Sequence, residues 1–208
     1  MYITRLNKVE DREAIRKFVS DVGFATLVTP SDSGLKVTHM PLLYVYSPGE
    51  RVISGHMANG NDYWKTFDGE TESVVIFQGP NAYVSTQWYE SKSAVLTSDY
   101  GVVRIRGAVI TIHDSDWLIA GVDKLVDFHE TGIGDGSSEA SYERIRTKLL
   151  GEVVGFQMAA ETVEAKLKLS QNRSEEDRRR VAEKLGSSRD GQSIAAVDWT
   201  RQSDRSDA

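Results

Sequence analysis

Strand-like segments joined by tight turns, rather than by helices, constrain the fold of this chain most. The apolar run over residues 23–29 ends at a cluster of turn residues, 30–34, and a second strand-like segment, 35–46, follows directly. Pro41 inside that second segment indicates a bulge or an edge strand. A tight turn can join antiparallel strands, whereas parallel strands need a crossover of about a dozen residues or more. The sequence therefore predicts a sheet that is mostly antiparallel.

The rest of the chain adds strands and a few helices. Short apolar runs or alternating patterns predict four more strands, over residues 51–55, 74–77, 101–112 and 153–169. Gly79-Pro80 is expected to end the continuous apolar strand 74–77, and the 153–169 strand is expected to cross the whole sheet. Helical spacing predicts helices over residues 9–21, 58–67, 117–129 and 142–150. Ser174, with Asp177 three residues later, predicts the start of a helix that runs to Leu185.

Six or seven strands with few crossover helices indicate a mainly β fold, an antiparallel barrel with peripheral helices. The 208 residues are 39% hydrophobic, enough for one domain with its own core, which we place at residues 1–186. The polar composition of residues 187–208 predicts a disordered tail.

Charge and composition bound the classes of partner. The net charge of −6 and the lack of a basic recognition helix argue against direct DNA binding. The chain has no cysteine, no long apolar run and no signal-like start. We therefore expect a cytoplasmic protein without a disulfide framework or a membrane span.

Two pairs of basic residues are candidates for a site. His39 and His56 lie at strand ends beside residues that bend the backbone, and histidines that merely pack in the core or a turn are the alternative. No carboxylate or third histidine falls at ligand spacing, so we predict no metal site. Arg104 and Arg106 lie two apart on one predicted strand, where both would face a phosphate or carboxylate. A solvated sheet face is the alternative for these arginines.

A group of aromatic and hydroxyl side chains follows the Gly-Pro turn. It consists of Tyr83, Ser85, Trp88 and Tyr89. Stacking faces together with hydroxyl donors suit a flat heteroaromatic ligand with a polar rim. Packing in the core is the alternative.

Polar residues are concentrated where the 153–169 strand gives way to the next helix. We call residues 168–174 the junction; its hydrogen-bonding side chains include Lys168, Ser170, Gln171 and Arg173. The following helix would add free N–H groups and the positive end of its dipole, which suits an anion. Simple helix capping by Ser174 is the alternative, although capping does not need Gln171.

Taken in order along the chain, these segments resemble the PaiB-like family of FMN-binding split-barrel proteins, often labelled negative transcriptional regulators. The matching segments are Met1-Tyr2, 23–28, 38–42, 55–61 with Trp64, 77–80, 82–85, Trp88-Tyr89, Gly155-Phe156 and 168–173. The resemblance covers about residues 1 to 186 and includes an intact K-L-S-Q-N-R ending. It implies a six-stranded antiparallel split β-barrel that forms a homodimer, with one FMN in each of two clefts between the subunits.

The resemblance also implies which residues lie near the cofactor. They are His39, His56, Asn59, Tyr83, Ser85, Trp88, Tyr89, Lys168, Ser170, Gln171 and Arg173. Arg104 or Lys168 near the pyrimidine end of the flavin would stabilise its anionic reduced form, and we count Arg104 among the cofactor-binding candidates.

The chain departs from the family pattern in two places. The family usually carries V-P-T-W-N-Y where residues 95–100 have Leu96, Ser98 and Asp99, and V-H-V-Y-G where residues 103–107 have Arg104 and Arg106. Two interpretations follow: FMN binding persists with a remodelled substrate side, or the pocket holds another ligand. The intact junction favours FMN.

Three functions are consistent with these residues. The first is a flavin-binding regulator, and the second is a flavin-dependent oxidoreductase acting on a small molecule, with His39 or His56 as proton donor. The third is a non-redox reaction without flavin, such as a cyclisation, in which Asp99 or a histidine acts as acid or base. Haem binding by a histidine is a further alternative.

Overall fold

Nine β-strands carry most of the regular structure in this computed structural model, which describes residues 1–47, 50–90, 95–130 and 151–203. The strands are β1 (Lys8–Val9), β2 (Phe24–Ser31), β3 (Gly34–Pro41), β4 (Leu43–Ser47), β5 (Glu50–Ala58), β6 (Glu72–Val84), β7 (Thr97–Ile112), β8 (Val153–Ala159) and β9 (Thr162–Lys168). The described helices are α1 (Arg12–Val22), α2 (Ser115–Glu130), α3 (Glu175–Gly186) and α4 (Gly191–Ser203). The predicted class, mainly β with an antiparallel sheet and few helices, is confirmed, with nine strands in the described ranges instead of six or seven.

The chain divides into two compact units. The first comprises Met1–Phe18, Phe77–Arg104 and Glu164–Ala208, and the second comprises Val19–Ile76 and Ile105–Val163. The sheet has the strand order β3-β2-β6-β7-β8-β5-β4, and β9 pairs with β1 and with β7. Each ladder with a defined register is antiparallel. The described helices α3 and α4 belong to the first unit, and α2 belongs to the second.

The segment predicted as one strand over residues 35–46 is two strands. β3 forms an antiparallel hairpin with β2, and Gly34 supports the turn with a φ of +111°. Pro41, which cannot donate a ladder hydrogen bond, ends β3 at the edge of the sheet. The next amide, that of Leu42, donates to the carbonyl of Gly23 at 3.0 Å, which extends the pairing with β2 by one residue before β4 begins.

The long alternating segment 153–169 is also broken, at residues 160–161. The amide of Ala160 donates to the carbonyl of Arg51 at 2.8 Å, and the amide of Glu161 donates to that of Arg106 at 3.1 Å. These bonds turn the chain between β8 and β9. Gly107 permits the close approach, because a Cβ there would lie 2.0 Å from the carbonyl oxygen of Ala159. Alternation predicts the exposed face of a strand, not where the strand changes partners.

β6 runs through Gly79-Pro80 instead of ending there. Alternate residues from Ser73 to Gly79 are buried, and the pattern resumes one residue out of phase at Ala82. Such a shift is typical of a bulge, and a bulge is one of the few places where a strand tolerates proline. The Gly-Pro pair therefore re-aims the second half of the strand without ending it.

Residues 191–203 form helix α4, so the predicted disordered tail is wrong for this stretch. Ala196 and Val197 are buried in a cluster with Val181 and Leu185 of α3. The ring of Trp199 lies 4.5 Å, centroid to centroid, from that of Phe18. Three apolar residues within one turn anchor the helix, and the polar average of the segment concealed them. The domain extent 1–186 stays a prediction.

The remaining helix predictions have mixed outcomes. Those over residues 9–21 and 117–129 are confirmed as α1 and α2. The one over residues 58–67 is a short 3-10 turn, Asp62–Thr66, and the one over residues 142–150 lies outside the described residues. Across the described ranges, none of the helices combines the length and the apolar character that a bilayer crossing needs.

Candidate functional site

The junction is a tight turn that its own side chains close. Ser170 has a φ of +60°, in the left-handed region, and the amide of Arg173 donates to the carbonyl of Ser170 at 2.9 Å. The Gln171 side chain accepts from the amide of Leu169 and donates to the carbonyl of Leu167, both at 2.7 Å. The side chain of Gln171 therefore bonds to the backbone at the end of β9. This role explains its place in the junction without a ligand.

A buried acid of β7 supports this turn by hydrogen bonding. Asp99 of β7 is 0% exposed, and its two carboxylate oxygens accept from the Ser170 hydroxyl at 3.1 and 2.9 Å. Burial raises the pKa of Asp99 to about 6, although the hydrogen bonds from Ser170 and the charges of Lys168 and Arg173 oppose the rise. The buried carboxylate therefore positions the turn, and an acid–base role for Asp99 stays a prediction.

Lys168 is tied to the same strand. Its ammonium group donates to the hydroxyl of Thr97 and, at 2.6 Å, to the carbonyl of Ser98. An ammonium has three N–H groups, so these bonds fix the position of the charge and leave one donor. The neighbouring Lys166 donates to the hydroxyl of Tyr100 at 2.6 Å. The start of β7 thus positions two lysines of β9.

The second cation of the junction lies on an aromatic ring. The guanidinium of Arg173 is 4.5 Å from the centroid of the Tyr89 ring, the range of a cation–π contact. No carboxylate pairs with Arg173 among the described residues, so its charge is available to an anion. The Tyr89 ring is buried in the cluster of α3 and α4, and its hydroxyl has no hydrogen-bond partner in the described part of the chain.

The other three candidates after the Gly-Pro pair differ in burial and in role. The hydroxyl of Ser85 accepts from the amide of Gln87 at 3.2 Å and so caps the 3-10 turn Thr86–Trp88. Trp88 is half-buried against the α3–α4 cluster, whereas Tyr83 is exposed. Core packing thus accounts for Trp88 and most of Tyr89, and Tyr83 keeps an open ring face.

The N-terminus of α3 adds less positive charge than the sequence suggests. The hydroxyl of Ser174 accepts from the amide of Asp177 at 3.2 Å, as the predicted cap requires. Glu175, Glu176 and Asp177 occupy the first turn, and their carboxylates already offset the helix dipole. Lys168 and Arg173, not the helix end, are the cationic groups of the junction.

Both arginines of β7 are engaged by carboxylates. Arg104 forms an ion pair with Glu164, and the hydrogen bond from Arg104 lowers the pKa of Glu164. Arg106 pairs with Glu72 at 3.1 Å. This favours the solvated sheet face over a ligand-facing pair, and the expected contact of Arg104 with a cofactor stays a prediction.

The second unit carries the two histidines and Asn59. His39 lies on the exposed face of the edge strand β3, where its Nδ1 is 3.0 Å from the hydroxyl of Thr26. His56 borders a small, partly open cleft that residues of α2, including Trp117, also line, and burial lowers the pKa of its imidazole. A lowered pKa keeps His56 neutral at pH 7, which weakens it as a general acid.

Asn59 acts mainly through its backbone. Its amide donates to the carbonyl of Glu152 at 2.7 Å, and its carbonyl accepts from the indole of Trp64 at 3.0 Å. In the described ranges no hydrogen bond or ring contact joins Asn59, His39 and His56 to one another. The same ranges contain no cluster of three or more metal-ligating side chains.

Three contacts escaped the sequence analysis. Thr97, Tyr100 and Lys166 belong to the network around the junction, and Trp199 lies on Gly79 in the same unit. Lys166 and Lys168 lie two apart on one strand and so share a face, and this spacing is the signal that could have revealed the part of Lys166 in the network.

Comparison with known proteins gives one family and one fold. Residues 1–162 match the family model described as "Putative FMN-binding domain". The chain is 34% identical over 189 residues to the protease synthase and sporulation protein PAI 2 of Bacillus subtilis (strain 168), covering 89% of each chain. These matches agree with the resemblance drawn from the sequence.

Two solved structures share the fold. The FAD and haem binding protein from Mycobacterium smegmatis superposes with a TM-score of 0.60 at 16% identity, covering 82% of this chain and 78% of that one. The flavocytochrome Anf3 from Azotobacter vinelandii gives a TM-score of 0.61 at 12% identity, covering 85% and 77%. The split-barrel fold predicted from the sequence is thereby confirmed.

Proposed function

The chain belongs to the FMN-binding domain family matched by residues 1–162, and from this premise we propose that it binds FMN with the phosphate at the junction. The observation that carries the proposal is the pair of cations there. Lys168 is fixed by Thr97 and Ser98, and Arg173 is fixed on Tyr89. A phosphate needs charge-assisted donors held in place, and both residue types provide them.

The residues fit the group in number and kind. Lys168 offers a point charge with one remaining N–H, and Arg173 offers a guanidinium fork without a carboxylate partner among the described residues. The single acid of the cluster, Asp99, is buried beneath the turn and does not block the phosphate side. The exposed ring of Tyr83 is available for stacking.

Bound FMN would supply reversible hydride and single-electron transfer, and we infer that the protein uses it on a small molecule. The chain's own residues would hold the phosphate and so fix the position of the cofactor. The acidic net charge of −6 supports this role over direct DNA binding. A visible absorbance spectrum of the purified protein tests the proposal: a flavin spectrum that bleaches with NADH, NADPH or dithionite supports it. A colourless protein that does not take up FMN would refute it.

Removing either cation is expected to weaken FMN binding about 10- to 100-fold. A charge-assisted hydrogen bond contributes about 1.5–3 kcal/mol, and each 1.4 kcal/mol is a factor of ten. The variants are Lys168→Ala and Arg173→Ala, with Lys184→Ala, an exposed lysine of α3, as the matched control. Quenching of flavin fluorescence gives the dissociation constants.

Riboflavin, which lacks the phosphate, separates the phosphate contact from the ring contact. Its affinity should be the same in Lys168→Ala, Arg173→Ala and the unchanged protein. Equal losses for FMN and riboflavin would place the phosphate elsewhere.

We further propose that the protein is a homodimer joined through the outer face of the β2–β3 hairpin. Phe24, Leu35 and Val37 are 56%, 70% and 53% exposed on this face, and the pairs Phe24↔Pro41 and Val28↔Val37 place apolar groups opposite each other. Several adjacent exposed apolar side chains on one sheet face are typical of an interaction surface. A second copy of the chain is the partner that the family resemblance implies.

Val37→Glu is expected to convert the dimer to a monomer. A carboxylate in the middle of an apolar interface would be desolvated without a partner. Sedimentation velocity measures the mass, and Ile194→Glu, which adds the same charge at an exposed apolar site on α4, is the control. A Val37→Glu protein that remains dimeric would show that the interface lies elsewhere.

A further inference from the structure

Asp99, the buried acid beneath the junction, is a candidate for tuning the site above it. We propose that the charge of Asp99 sets how tightly the junction holds an anionic ligand and makes that affinity depend on pH. The inference rests on the proposed function for the identity of the ligand, the phosphate of FMN. It adds a residue that would act on the ligand without touching it.

The first support is a direct mechanical connection. Both carboxylate oxygens of Asp99 accept hydrogen bonds from the hydroxyl of Ser170. A φ of +60° is uncommon for a residue other than glycine, and these bonds hold Ser170 in that conformation. Ser170 lies two residues after Lys168 and three before Arg173. A change at Asp99 therefore reaches the segment that presents both cations.

The second support is the charge around Asp99. From the junction, Lys168 and Arg173 both act on the carboxylate, and Ser170 donates to it. On its own strand the next residue, Tyr100, is held by Lys166. Among the described residues, Lys168 and Arg173 are the charged groups whose effect on Asp99 is resolved. Within the set of Asp99, Lys168 and Arg173, Asp99 supplies the one negative charge, and the nearby carboxylates of the first turn of α3 are those of Glu175, Glu176 and Asp177.

The net charge of this cluster changes when Asp99 takes up a proton. With Asp99 ionised, the cluster of Asp99, Lys168 and Arg173 has one net positive charge, and with Asp99 protonated it has two. Because Asp99 titrates at about pH 6, the first state prevails at pH 8 and the second at pH 5. An anion at the junction is attracted more strongly in the second state.

The magnitude follows from the distance over which charges interact. Charges that act on the same turn lie within the Debye length of about 10 Å at 0.1 M salt. The effect of the Asp99 charge on an anion at the junction is therefore only partly screened. For one unit of charge at a site near the surface, we expect an affinity change on the order of tenfold.

The test compares Asp99→Asn with the unchanged protein. Asparagine keeps an oxygen that can accept from Ser170 and removes the charge, so the turn is preserved, which circular dichroism would verify. Dissociation constants for FMN and, in parallel, for inorganic pyrophosphate are measured at pH 5 and pH 8. Taking the ratio of the two proteins at each pH cancels the titration of the ligand itself.

The expected ratio is about ten in favour of Asp99→Asn at pH 8 and about one at pH 5, for both ligands. In Ser170→Ala the loss of a stabilising hydrogen bond raises the pKa of Asp99, so the pH at which affinity changes should move upward. A ratio that is equal at the two pH values would overturn the inference.

The outcomes distinguish this inference from the proposed function. If neither protein binds FMN at any pH, the proposed function fails, and the pyrophosphate ratio still decides the role of Asp99. If FMN binds but the ratio does not vary with pH, the proposed function stands and the role of Asp99 is refuted.

Discussion

Adding one methyl group at Gly79 is expected to destabilise the protein by about 3 kcal/mol, a large fraction of the stability of an ordinary domain. A Cβ at this position would lie 1.7 and 1.8 Å from two ring atoms of Trp199. Atoms cannot approach so closely, so Trp199 must leave Gly79 and α4 must shift with it. Urea unfolding of Gly79→Ala, followed by tryptophan fluorescence, measures the loss.

A double-mutant cycle shows whether the clash is the cause. Trp199→Ala alone should cost about 3 kcal/mol, because a large ring is removed from its contacts with Phe18 and Gly79. In that background Gly79→Ala should cost less than about 1 kcal/mol, because its obstacle is gone. Gly60→Ala is the matched control, since a Cβ there meets no atom within 4 Å. Equal costs for Gly79→Ala in both backgrounds would contradict the packing described for α4.

Asp99→Asn is expected to stabilise the protein at pH 8 by up to about 3 kcal/mol. Burial raises the pKa of Asp99 from 3.8 to about 6 in the folded state, and each pKa unit is 1.36 kcal/mol. The folded protein therefore binds a proton more tightly than the unfolded chain does. This contribution to stability is fully present below pH 4 and is lost as the pH rises through 6. Asparagine, which has no charge to bury, removes that loss.

The pH dependence identifies the mechanism. The difference in free energy of unfolding between Asp99→Asn and the unchanged protein should be near zero at pH 4 and reach its maximum above pH 7. Denaturant unfolding at several pH values measures it, with Asp32→Asn in an exposed turn as the control for loss of one charge. A gain that is constant from pH 4 to pH 8 would mean that the carboxylate is not protonated near pH 6.

The strands of this fold were predictable where alternation is regular, and their ends were not. Residues 101–112 alternate cleanly and lie within β7. The break between β8 and β9, by contrast, depends on carbonyls of Arg51 and Arg106, which lie far away in the chain. Helix α4 was missed because its polar surface hides the few residues that anchor it, Trp199 above all.

For the candidate site, too, the residue types were predictable from the sequence and their contacts were not. The donors of the junction were visible in the sequence, because four hydrogen-bonding side chains follow one another directly after the predicted strand. Which of them keep free donors was not visible: Gln171 bonds to its own backbone, whereas Lys168 and Arg173 keep donors. Arg104 was expected to act as a cation for a ligand, but its partner Glu164 lies 60 residues away.

The start of β7 has a consequence for how such a protein can diverge. Thr97 and Ser98 hold Lys168, and Asp99 holds Ser170, so a short stretch outside the junction dictates its position and its charge. Under the proposed function, mutations in this stretch would shift ligand preference without replacing Lys168 or Arg173. Evolution, or a protein engineer, could thus adjust specificity indirectly, through the three neighbouring positions 97–99.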